Sequence, residues 1–226
     1  SNIKNLIDKY PNVKLVLSAK AFAMLPQFFD IENLSDRCLV VKDGDELDLG
    51  SHKLKFIMAP MVHWPEVMVE YEVSEKILFS ADGFGKFGAL SADEDWACEA
   101  RRYYFNIVGK YGAPVQTLLK KASTLDIKTI CPLHGPILNE NLDYYIGKYL
   151  TWSSYEPEED GVLVACASIH GNTKAAAEKM VEVLRANGAS KVVFMDLTRD
   201  DMAEAVADAF RYGKIILAAA SYDAWV

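Results

Sequence analysis

The sequence predicts an α/β chain of two modules, and three observations predict it. After residue 160, apolar strands alternate with helix-patterned stretches in a β-α-β-α-β series. Before residue 152, three apolar strands each run directly into one potential metal ligand. Between the two patterns, 153–160 reads Ser-Ser-Tyr-Glu-Pro-Glu-Glu-Asp, an acidic stretch broken by proline, which marks a linker. The expected division is 1–152, a linker at 153–160, and 161–226.

In the first module Val13 to Leu17 reads as a strand and Ala19 to Phe29 as a helix. Turn residues in Asp43-Gly44-Asp45 and Asp48-Leu49-Gly50 bracket a short strand, and Lys53 to Met58 forms the next. Val67 to Val73 alternates apolar and polar residues, Ser74-Glu75 turns, and Lys76 to Ser80 returns as the second arm of a hairpin. A long helical region is expected from Asp93 to about Lys121, interrupted near Gly109, Gly112 and Pro114. Ile127 to Ile130 then reads as a strand and Asn141 to Trp152 as a helix.

In the second module Val162 to Ala167 is a strand, Lys174 to Asn187 a helix stopped by Gly188, and Lys191 to Leu197 a strand. A helix from about Asp200 to Tyr212 and a strand from Lys214 to Ala220 complete the series. The continuous apolar runs Val192-Val193-Phe194 and Ile215-Ile216-Leu217 suit a parallel sheet covered on both faces. Doubly wound sheets of this kind use about five strands, so the three here amount to roughly half of one.

The three strand-to-ligand passages are Phe56-Ile57-Met58-Ala59-Pro60-Met61-Val62-His63, Ile77-Leu78-Phe79-Ser80-Ala81-Asp82 and Thr129-Ile130-Cys131-Pro132-Leu133-His134. Strands of one sheet that end together bring such residues to a common edge. Two imidazoles and a carboxylate suit zinc or iron, and the two oxygens of Asp82 suit a bridge between two metals. Taken singly, these residues would read as a buried histidine, a turn aspartate and a loop histidine; the repeated context favours the metal edge. His52, at a strand start, reads as solvent-exposed.

Between the first strand and first helix of the second module lie Ser168, Ile169, His170, Gly171, Asn172 and Thr173. Backbone N–H groups at a helix N-terminus point outward with partial positive charge, and the hydroxyls and amide add donors around a tight turn at Gly171. The stretch suits a phosphate, although the same residues also suit an ordinary helix cap. It lacks the Gly-x-Gly-x-x-Gly spacing of dinucleotide sites and the Gly-Lys-Ser/Thr ending of nucleotide-triphosphate loops, which disfavours NAD and ATP. It resembles the first FMN loop of flavodoxins, Thr/Ser-x-Thr-Gly-x-Thr, with His170 at a position where flavodoxins usually carry threonine.

The formal net charge of −8 over 226 residues, with no basic run, argues against nucleic acid or an anionic membrane surface as partner. Cys38, Cys98, Cys131 and Cys166 form no Cys-x-x-Cys pair and read as small core residues in a reducing compartment, so a cytoplasmic location is expected. No apolar run approaches the roughly 20 residues of a membrane span.

With these motifs in place, the chain resembles the flavodiiron proteins, or A-type flavoproteins. In that family a metallo-β-lactamase-like domain holding two irons precedes a flavodoxin-like FMN domain. His63-Trp64-Pro65-Glu66 is similar to the family's His-Trp-Pro-Asp segment around a metal ligand. Leu78 to Gly85 is similar to its strand ending in the bridging aspartate, and Pro132-Leu133-His134-Gly135-Pro136 to its last histidine segment. Arg101 to Ile107, Lys148 to Trp152 and Ser221-Tyr222-Asp223-Ala224 extend the match.

The resemblance implies part of a metallo-β-lactamase-like αββα sandwich followed by the first half of a flavodoxin-like doubly wound parallel sheet. It implies iron ligation by His63 and His134 with Asp82 bridging, and no catalytic side chain beyond these ligands. Glu66 would stand behind the ligands or face solvent. FMN would rest on 168–173, with Ser221, Tyr222, Asp223 and Ala224 along its ribityl chain or ring edge. The implied function is reduction of dioxygen to water, nitric oxide to nitrous oxide, or both. A rubredoxin-like redox protein would donate the electrons, and the chain would form a close homo-oligomer.

The family's first ligand group, His-x-Glu-x-Asp-His, has no counterpart before His63, and its later flavodoxin strands would follow Val226. The sequence therefore reads as the centre of a longer protein, with weak or absent iron and FMN and no activity of its own. Two rival readings are a metal-dependent hydrolase of the metallo-β-lactamase superfamily and an electron-transfer flavin module without its own chemistry.

Overall fold

Residues 2–221 are described by a computed structural model. A short helix, α1 (Ile3–Lys9), precedes β1 (Leu15–Ser18) and α2 (Ala19–Met24). The Ser18 hydroxyl caps α2 by accepting the Ala21 N–H at 3.1 Å. Pro26 has no N–H with which to continue the ladder, so α2 tightens into a 3-10 turn at Leu25–Gln27 and stops short of Phe29. The next strand, β2 (Cys38–Val41), pairs in parallel with β1.

Five strands form the larger sheet: β3 (Glu46–Asp48), β4 (Lys53–Met58), β5 (Met68–Glu72), β6 (Ile77–Phe79) and β7 (Thr129–Cys131), in that spatial order. Pairing is antiparallel from β3 to β6 and parallel between β6 and β7, with Ile57 opposite Val69 and Leu78 opposite Ile130. Phe56, Val69, Leu78 and Ile130 are buried and anchor this sheet. The hairpin turn between β5 and β6 closes on the Glu72 carboxylate, which accepts N–H groups from Lys53, Ser74 and Glu75.

The region between β6 and β7 is helical from Trp96 to Ala122 and is interrupted near Gly109 and Gly112, as expected, with a further irregularity from Tyr104. Asp95 caps α3 (Trp96–Tyr103), a π-helical turn follows at Tyr104–Val108 and a 3-10 turn at Gly109–Tyr111, and α4 (Gly112–Ala122) continues. Pro114 falls in the first turn of α4, where a missing N–H breaks no bond. After β7 comes α5 (Leu142–Ser154).

The second sheet is built from β8 (Glu159–Ala167), α6 (Asn172–Ala186), β9 (Val192–Asp196), α7 (Met202–Arg211) and β10 (Tyr212–Ala219). Its order is β10-β8-β9, all parallel, so the first of these strands lies between the other two. Alternate residues of β8 serve opposite faces. Val162, Val164 and Cys166 pack with Ala177 and Val181 of α6, while Leu163 and Ala165 pack with Met195 of β9 and Ala205 of α7.

Two compact units result. One holds the chain up to Gly85 together with Ala113–Ile146; the other holds Lys86–Gly112 together with the chain from Gly147. The second unit thus takes in α3, whose following turn contributes Tyr104 to a cluster with Tyr149 and Trp152. Within 153–160, α5 runs on to Ser154 and β8 begins at Glu159. The stretch read as a linker buries the Glu158 side chain, which accepts hydrogen bonds from Arg101, Lys148 and Trp152. Burial would raise its pKa, but these donors outweigh burial and hold it at about 2.

Candidate functional site

Strand direction explains why the three candidate ligands meet. β4 and β6 are both antiparallel to β5, and β7 is parallel to β6, so all three finish at one edge of the sheet. Asp82 and His134 each lie three residues beyond the paired positions Phe79 and Cys131. Pairing continues past the strands, because the Ser80 N–H donates to Cys131 O at 3.1 Å and the Leu133 N–H to Ala81 O at 2.8 Å.

The aspartate stands between the imidazoles. His63 Nε2 is 3.4 Å from Asp82 Oδ2, and His134 Nε2 is 3.4 Å from Asp82 Oδ1. Asp82 and His63 are about one-fifth to one-quarter exposed, whereas His134 is 57% exposed, so the edge opens on its side. Left-handed backbone at Met61, Ala81 and Gly135 lets each loop reverse beside its candidate ligand. The Asp82 turn is closed by Gly83 N–H to Ser80 O (2.9 Å) and Ser80 Oγ to Gly83 O (2.7 Å). Gly85 permits close approach of two loops: a Cβ there would stand 3.1 Å from both Asp82 O and His134 O.

The spacing fits metal ligation. Two donors bound at about 2.1 Å to one cation at a tetrahedral angle lie about 3.4 Å apart, the separation of each imidazole from its carboxylate oxygen here. Among the described residues no three His, Cys, Asp or Glu side chains converge on one point.

Glu66 does not simply face solvent: its Oε2 is buried with no hydrogen-bond partner among the described residues. His52 is 45% exposed, as expected, and its Nδ1 lies 3.4 Å from Glu72 Oε1.

At the second candidate site, β8 ends at Ala167 and the Gly171 N–H donates to Ser168 Oγ at 3.0 Å, closing a tight turn. Gly171 has φ of 87°, and no side chain caps α6, which begins at Asn172. Ile169, His170, Gly171 and Asn172 are exposed and Thr173 is half-buried. The Ala220 N–H donates to Ala167 O at 3.1 Å, so Ser221 leaves its strand beside Ser168. Tyr222, Asp223 and Ala224 lie outside the described residues.

Sequence reasoning missed Lys174 and Asp196. Lys174 stands in the first turn of α6, where a cation opposes the helix dipole. Asp196, at the end of β9, pairs with it at 2.9 Å. Hydrogen bonds from Thr198 and Lys174 hold the Asp196 carboxyl at about 2.

The family model described as ODP family beta lactamase matches residues 1–135. The flavodiiron protein of Giardia intestinalis is similar over 96% of this chain and 54% of its own, at 29% identity and a TM-score of 0.88. This chain belongs to the flavodiiron protein family. Rubredoxin oxygen:oxidoreductase of Desulfovibrio gigas is similar over 96% of the flavodiiron chain described here and 56% of its own, with 25% identity and a TM-score of 0.83. An anaerobic nitric oxide reductase flavorubredoxin of Vibrio vulnificus is 31% identical over 188 residues, 78% of this chain and 38% of that protein. An uncharacterized protein of Methanocaldococcus jannaschii is 32% identical over 189 residues, 81% of this chain and 47% of that protein. The chain thus spans about half or less of the curated relatives it matches.

Proposed function

We propose that this chain contributes to an oxidoreductase that reduces dioxygen to water, nitric oxide to nitrous oxide, or both, at a two-iron centre served by FMN. The observation that carries the reading is Asp82, whose two oxygens each lie 3.4 Å from a different imidazole. When bound, the irons would supply the site for the diatomic substrate and FMN would relay single electrons.

The chain's own residues have simpler tasks. His63 and His134 would each offer an imidazole to the irons, and Asp82, set between them, would offer its carboxylate to both. Gly85 keeps the Asp82 and His134 loops in contact. Ser168 and Gly171 shape the turn at the start of α6, whose outward N–H groups would receive the FMN phosphate. Ser221, Tyr222, Asp223 and Ala224 follow the adjacent strand end and would line the rest of the flavin. Similarity to a flavorubredoxin and to a rubredoxin oxygen:oxidoreductase supports a rubredoxin-like electron donor. A cytoplasmic homo-oligomer completes the proposal.

Metal analysis and the visible spectrum of the chain, loaded anaerobically with excess Fe2+, Zn2+ and FMN, test this reading. Iron together with flavin absorption is expected. Zinc without flavin would overturn it in favour of hydrolytic chemistry.

A further inference from the structure

A cleft of about 420 Å³ lies in the first unit, away from the candidate metal edge, between β4, the turn before β3 and the C-terminal part of α4. Its size is within the range of small-molecule sites. Lys55 and Ile57 reach it from alternate positions of β4, and Lys120, Lys121 and Leu125 reach it from α4 and the turn beyond.

Charge is the unusual feature, because the chain as a whole carries −8. Lys121 Nζ is paired with Asp43 Oδ1 at 2.9 Å and also donates to Met58 O at 3.0 Å. The Asp43 carboxylate also accepts the Met58 N–H at 2.7 Å through the same oxygen, and Lys55 is close enough to lower its pKa further. Lys55 and Lys120 have no ion pair among the described residues. A lysine in the last turn of a helix complements the helix dipole, which accounts for Lys120 but not for Lys55 on a strand. Three lysines, Lys55, Lys120 and Lys121, thus face one carboxylate, Asp43, in a cleft also lined by Ile57 and Leu125, which leaves an excess of two positive charges.

We propose that this cleft binds an organic phosphate monoester with a compact apolar body. The excess of two positive charges matches the charge of such a phosphate, about −1.5 to −2 at neutral pH. Lysines serve as mobile point charges for phosphate, and the apolar wall accepts the body. The inference does not depend on iron or FMN, since none of the lining residues belongs to either candidate site.

Phenyl phosphate is the probe, titrated into the 226-residue chain and followed by residue-resolved NMR, with phenol and inorganic phosphate as parallel arms. The Ile57 and Leu125 methyl signals should shift saturably with phenyl phosphate, and at least tenfold higher concentrations of either parallel probe should be needed. The double variant K55Q/K120Q should weaken phenyl phosphate at least tenfold while resonances outside the cleft stay in place. Should the double variant fold poorly, the exposed single substitution Lys120→Gln is expected to weaken binding severalfold. Shifts confined to Ser168–Thr173, phenol binding as well as phenyl phosphate, or affinity unchanged in the lysine variants would each overturn the proposal.

Discussion

Arg101 forks onto Glu158 with both side chains only 4% exposed, its Nε facing Oε1 and its Nη2 facing Oε2. Lys148 and the Trp152 indole complete the shell around the carboxylate. Removing one member of a buried pair leaves an uncompensated charge, at a cost of about 3–5 kcal/mol. Arg101→Ala should lower the urea-unfolding free energy of the second unit by about that amount, and a loss under about 1 kcal/mol would contradict the assignment.

The same carboxylate sets a pH dependence. Glu158 is depressed to about 2 from its ordinary 4.5, and Asp196 to about 2 from 3.8. A depressed carboxylate contributes stability that is fully present above its unfolded pKa and is lost as pH falls through its folded value. Stability should therefore decline as pH drops from about 4.5 toward 2, and Glu158→Gln should flatten part of that decline. Urea midpoints measured across this window check it; an unchanged slope in Glu158→Gln would count against the buried pair.

Gly85→Ala places a Cβ 3.1 Å from both Asp82 O and His134 O, so the two loops must separate. Groups that position metal ligands typically affect metal affinity by about 10–100-fold. Ferrous-ion affinity should fall by about tenfold in Gly85→Ala while circular dichroism stays unchanged. Equal affinity in the two proteins would show that contact between these loops does not position the ligands.

At the second site, Thr173→Leu replaces a hydroxyl at the start of α6 with a branched apolar chain. FMN affinity, read by quenching of flavin fluorescence, should fall severalfold. Unchanged binding would remove Thr173 from the cradle.

Much of this arrangement was legible in local sequence, because strands and their exits are short-range features. The runs ending at His63, Asp82 and His134 identified three strands and their common edge, and the alternation in β8 follows from Val162 to Cys166. Arg101 and Glu158 could not be paired by any local pattern, since 57 positions separate them and a glutamate in an acidic stretch reads as solvated. Lys174 and Asp196 escaped for the same reason, lying 22 positions apart on different elements. The break at Tyr104 also escaped, because no glycine or proline marks it; the π-helical turn begins within an aromatic run.

The central claim is that Asp82 joins His63 and His134 into one metal edge. Titrating the chain anaerobically with Fe2+ and following the ring-proton NMR signals of its four histidines tests this most directly. Weak binding should give paramagnetic shifts at both His63 and His134, leave His52 and His170 in place, and vanish at both in Asp82→Asn. Shifts at only one of the two, or shifts at both that persist undiminished in Asp82→Asn, would contradict the account.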